Sequence, residues 1–181
     1  MGTRILSRAL AELTNADFTL AIVLSAMAVE CELARLFMKW NDIDLRYTRD
    51  PTPADQEKWE KQWRKWTMVG VRLDKVATLL TGDNFDSFLS RKPRLLNPIY
   101  TEYPTFTGVQ LTKDIFIKEF FHKRNRIVHL GEIDFKQPDG KLCITLAITL
   151  FQVLKEMDDQ RIKTMDAKHA AQRAATSKPN V

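Results

Sequence analysis

Phe120-Phe121-His122-Lys123-Arg124-Asn125-Arg126-Ile127-Val128-His129-Leu130-Gly131 reads as the last turns of a helix with a stop at its end. Glycine adopts the left-handed conformation that closes a helix without steric cost, so Gly131 marks the terminus. Thr112 offers an N-cap, and the helix is expected to run from Lys113 to about Leu130. Upstream, Asn15 with Asp17 behind it can cap a long helix through about Trp40. This helix is apolar around most of its circumference, with Ser25, Glu32, Arg35 and Lys39 forming a narrow polar stripe at helical spacing. Glu30 falls about 160° from Glu32 on the helical wheel, on the side expected to face the core.

The other elements follow from caps and periodicity. Thr3 can cap a short first helix to about Leu13. Thr52-Pro53-Ala54-Asp55 combines a cap, a proline at the first helical position and an acidic first turn, opening a third helix expected to end near Gly82. Trp59, Trp63 and Trp66 continue into Leu73, Ala77 and Leu80 at core spacing, with Lys58, Lys61, Arg64 and Lys65 on the other sides. A tryptophan stripe of this kind is expected to bury, the alternative being stacking on bases. Residues 91–111 hold three prolines among Tyr100, Tyr103 and Phe106, an excursion expected to be anchored by its aromatics. Pro138-Asp139-Gly140 reads as a turn before a fifth helix from about Lys141 to Met165, and Ala167–Val181 as a flexible tail. The expected architecture is all-α: a bundle of four to five main helices over residues 1–166, with a Pro-rich insertion before the helix that ends at Leu130.

The chain has 181 residues, 44% of them hydrophobic, enough for one sizeable core, and a formal net charge of +5 that leans modestly toward a polyanionic partner. Cys31 and Cys143 lie in apolar runs, which fits two reduced, buried thiols, and no Cys/His grouping has zinc-ligand spacing. Neither a metal nor a cofactor is expected. The most hydrophobic run, Phe18 to Trp40, is interrupted by Glu30, Glu32, Arg35 and Lys39, so it reads as a core helix rather than a membrane span. A cytoplasmic protein is the expectation.

Arg124, Asn125 and His129 carry the chemistry that the sequence offers. Cleaving RNA without a metal takes a base for the ribose 2′-OH, an acid for the 5′-oxygen and donors for the phosphate as it gains charge. Histidine exchanges protons near neutral pH, and the planar arginine fork grips two phosphate oxygens. Asn125 precedes His129 by one helical repeat and can orient the imidazole or the phosphate. Arg124 and His129 are about 140° apart on an ideal helix, so they converge only near a common cleft. Glu30, as a carboxylate on a core-facing side, needs a cationic partner, and Arg124 is the candidate. His122 shares the face of Asn125 and His129, as a surface residue or as a second substrate contact; Lys123 and Arg126 are candidate RNA contacts. On spacing alone, the same residues also fit a helix end whose cations complement the dipole.

The segment Arg124-Asn125-x-x-x-His129, in the helix before the last, resembles the signature of the HEPN (higher eukaryotes and prokaryotes nucleotide-binding) family. The helix containing Ala28-Val29-Glu30 is similar to the long early family helix that carries an acidic residue, and the last helix is similar to the closing one. The resemblance implies a metal-independent endoribonuclease whose motif helices meet across a two-fold axis. Such a homodimer pools Arg124 and His129 from both copies and leaves a 2′,3′-cyclic phosphate and a 5′-OH. It also implies a toxin or antiviral defence role, with RNA as substrate and an antitoxin or regulatory partner. The family equally admits a non-catalytic module that binds a nucleotide, RNA or a protein. A structural dimerisation domain with an incidental basic surface is the third reading.

Overall fold

The computed structural model describes the backbone of residues 1–176 and the side chains of residues 1–171, and among these no strand occurs. The helices are α1 (Gly2–Thr14), α2 (Phe18–Arg46), α3 (Pro53–Lys65), α4 (Val69–Thr81), α5 (Phe85–Arg91), α6 (Asn97–Glu102), α7 (Lys113–Phe116), α8 (His122–Leu130) and α9 (Gln137–Thr176). Ile117–Phe121 is a π-helical turn that joins α7 to α8 without a break, so the expected single motif helix is present with one widened turn inside it. No described helix is long and apolar enough to cross a membrane.

Helices α2 and α9 form the spine. Ile22, Val29, Leu33 and Leu36 of α2 are fully buried, as are Leu146, Leu150, Val153 and Leu154 of α9. Polar ties finish the seam: Asp158 accepts from Lys39 Nζ at 2.8 Å and from Trp40 Nε1 at 2.5 Å, and Arg161 Nη2 donates to Asp44 at 2.7 Å. Fully buried Phe85, Phe88, Phe116 and Phe120 fill the space beside this spine. Burial of these side chains, each contributing about 1.5–3 kcal/mol, is the main force that fixes the helices around the site.

Several local expectations need correction. Asp17, not Asn15, caps α2 by accepting from the Leu20 N–H, and the helix passes Trp40 to Arg46. An Asp42–Arg46 ion pair and the Asp44–Arg161 contact carry it through a polar stretch that reads as an end. Ser25 is buried, its hydroxyl donating to the Ile22 carbonyl, so it does not belong to the solvent stripe. The expected third helix is two helices, broken at Trp66, Thr67 and Met68; the capping box at Thr52 and Asp55 is present as read. The excursion over 91–111 is ordered, but Leu96, Ile99 and Leu111 are its buried anchors while Tyr100, Tyr103 and Phe106 are half-buried. Pro138-Asp139-Gly140 is the first turn of α9 rather than a turn before it, with Asp139 accepting from the Lys136 N–H. A Cβ on Gly140 would sit 3.0 Å from Leu13 Cδ1, so glycine here permits close packing. Where a tail was expected from Ala167, α9 continues to Thr176, and His169 rests on Tyr47 at 4.9 Å; residues 177–181 lie outside the described part. Cys143 is buried as expected, whereas Cys31 is only half-buried; both are free.

Candidate active site

The end of α8 is built as its sequence reads. Gly131 is left-handed at φ 68°, and its N–H donates to the Ile127 carbonyl at 3.1 Å, closing the helix. At its other end, the start of α7 is not capped by the Thr112 side chain; Asp86 of α5 accepts from the Lys113 N–H instead. The π-turn between them carries Phe120 and Phe121 into the core, and the buried Cys143 thiol donates to the Glu119 carbonyl within it at 3.7 Å. Such turns are frequent at functional sites.

Beyond the π-turn, Arg124 reaches down toward α2. Its Nη2 lies 3.8 Å from Glu30 Oε1, and its Nη1 donates to Asn125 Oδ1 at 2.9 Å. The expected Glu30–Arg124 pair is therefore present, and both residues are half-buried rather than sealed in the core. Sequence reasoning missed a second cation on the same carboxylate: Arg72 Nη1 of α4 is 3.5 Å from Glu30 Oε2. Arg72 is held from two other directions, with its Nε donating to the Trp66 carbonyl at 2.7 Å and its guanidinium 4.8 Å from the Trp63 ring centroid. The break after α3 creates that acceptor. No periodicity could announce it, because Trp63, Trp66 and Leu73 keep helical spacing across the break.

These residues line a cleft of about 380 Å³ between α2, α4 and the motif helix, with Glu30, Arg72, His122, Arg124 and Asn125 on its walls and Met68 at its rim. A Cβ on Gly70 would lie 2.7 Å from Ile117 Cδ1, so glycine lets α4 approach the π-turn and narrow the cleft. No family model, curated protein or solved structure matches this chain.

The structure gathers some candidates and separates others. His122, Arg124, Asn125 and Glu30 share the cleft, but His129, seven residues further along α8 from His122, is exposed and does not line it. Around His129 the surface is unusually apolar, with Val128 at 50%, Leu130 at 71% and Ile133 at 73% exposure. Lys123 and Arg126 are engaged within the fold. Lys123 Nζ donates to Asp139 at 2.9 Å and Arg126 Nε to Glu132 at 2.9 Å, which ties α8 to the segment after it. The tryptophan stripe is core, as expected: Trp59 is buried, and Phe37 stacks on Trp63 at 5.5 Å and meets Trp66 edge-on at 5.1 Å. On the opposite face of α3, Lys58, Lys61 and Lys65 are exposed.

Proposed function

We propose that this chain is a HEPN-type, metal-independent endoribonuclease acting as a homodimer, with Arg124, Asn125 and His129 of both copies in one composite site. The observation that carries the reading is the disposition of the motif at a helix end: Arg124 is pinned by Glu30 and Asn125, while the His129 side chain makes no hydrogen bond among the described residues and lies beside exposed Val128, Leu130 and Ile133. Within one copy, positions 124 and 129 lie about 140° apart on α8, and His129 does not line the cleft that holds Arg124. A second copy seated on the apolar surface would bring its motif helix alongside and supply the missing group. In the step that follows, one His129 takes the 2′-OH proton, O2′ attacks phosphorus, and the 5′-oxygen leaves with a proton from the other His129. Arg124 and Asn125 hold the non-bridging oxygens as charge builds on them. Exposed lysines on α3 favour approach of RNA. A role as a toxin or defence effector, restrained by a partner, accompanies this reading.

The purified chain is expected to cut RNA in EDTA, leaving 2′,3′-cyclic phosphate ends. His129→Ala and Arg124→Ala should each slow cutting by roughly a hundredfold or more while circular dichroism and dimer size stay unchanged. Cutting that requires a divalent metal and survives both substitutions would sink the assignment. Binding without products would instead favour the non-catalytic module.

A further inference from the structure

The two arginines that share Glu30 are not equivalent in how they are held. Arg72 is fixed at Nε by the Trp66 carbonyl and across its plane by Trp63, and neither of its terminal nitrogens makes a hydrogen bond among the described residues. Arg124 has a buried Nε without a partner. Their separations from the carboxylate, 3.5 and 3.8 Å, exceed the roughly 2.7–2.9 Å of a charge-assisted hydrogen bond. One negative charge thus faces two positive ones in a walled cleft, with donors on both cations left over. His122 and Asn125 add further polar groups to the same wall, and α4 opens onto it with no side-chain cap.

We infer that Arg72 joins Arg124 in a two-arginine phosphate subsite in this cleft, in which Arg124 faces the reacting phosphate and Arg72 holds the backbone phosphate of the nucleotide flanking the cut. The assignment of RNA as the source of that phosphate rests on the endoribonuclease reading. A guanidinium held at its Nε and stacked on an indole has little orientational freedom left to lose, so its terminal N–H pair meets a phosphate at reduced entropic cost. Glu30 sets the spacing of the pair and keeps the empty cleft from carrying two uncompensated charges. It also competes with the ligand, and this gives the subsite a signature that a purely structural ion pair lacks.

The test uses the full chain and a short single-stranded RNA carrying 2′-O-methyl groups throughout, which can bind but cannot be cut. Arg72→Gln should weaken binding roughly tenfold and lower the salt dependence by about one counterion. Glu30→Gln should tighten it roughly threefold, because the competing charge is gone. Wild-type affinity and salt slope in Arg72→Gln, with no gain in Glu30→Gln, would overturn the subsite. Since Arg72→Gln also removes the Trp66 contact, its melting is checked first, and Glu30→Gln decides alone if Arg72→Gln does not fold. Cleavage of the all-ribose oligonucleotide is followed in parallel. Arg72-dependent binding without cutting keeps the subsite and discards the nuclease, whereas cutting with binding insensitive to both substitutions does the reverse. If the oligonucleotide does not bind, AMP replaces it: Arg72-dependent AMP binding keeps a phosphate subsite serving free nucleotides, and binding of neither ligand overturns it.

Discussion

Cys143 shows how one buried side chain supports the motif from behind. Burial pushes its thiol up from an ordinary value near 9 to about 12, so the folded chain keeps the proton with which it hydrogen-bonds the Glu119 carbonyl. The unfolded chain releases that proton at lower pH. The stabilisation is therefore fully present below pH 9 and is lost as the pH rises toward 12, at about 1.4 kcal/mol per pH unit from this group. Denaturant unfolding of the wild type and Cys143→Ala should show a stability difference that shrinks across this window. A constant difference would mean that the thiol titrates normally in the fold. The paired charges of the motif were partly legible at this scale: Glu30 on an apolar helix demanded a cation, and Arg124 was the candidate. Arg72 escaped because its role depends on a tertiary meeting of α4 with α2 that no spacing encodes.

At the scale of elements, caps decide which parts of the sequence could be read. Thr52 and Asp55 form a reciprocal box, and the Arg49 guanidinium beside Asp55 holds its carboxyl well below the usual carboxylate range. Such a local device is written in adjacent residues and was readable. The motif helix begins differently, because its cap is Asp86, a residue on another helix. Asp86→Ala is expected to lower stability by about 1 kcal/mol, and Thr52→Ala by a similar amount. Hydrogen exchange should separate them, with new opening at 113–116 in the first and at 53–56 in the second. The break between α3 and α4 and the first turn of α9 were misread for related reasons. Trp66 and Leu73 stay in phase across the break because both flanking helices bury against the same core. Pro138 and Gly140, ordinarily turn residues, serve α9 as an early helical position and a contact too close for a side chain.

For the whole molecule, the decisive quantity is what covers the exposed apolar residues beside His129. Leu130 and Ile133 are more than two-thirds exposed, and burying them against a second copy would add apolar contact without disturbing either core. For the proposed dimeric nuclease, Leu130→Asp combined with Ile133→Asp should yield a folded monomer by light scattering that does not cut RNA yet melts within about 1 kcal/mol of the wild type. A variant that stays dimeric and active would place the interface elsewhere. The all-helical class followed from composition and periodicity, whereas the orientation of the motif within the bundle depends on the π-turn at Ile117–Phe121. That turn holds one residue more than a regular helix needs. Deleting a single residue within it would let the turn close as regular α-helix with both flanks near their present phase, whereas deleting His122 or Lys123 from the regular helix would rotate Arg124 by about 100°, away from Glu30 and Arg72. The chain thus carries one residue of slack just before its motif: the loss of a residue should be absorbed in this turn far better than in the two residues that follow it.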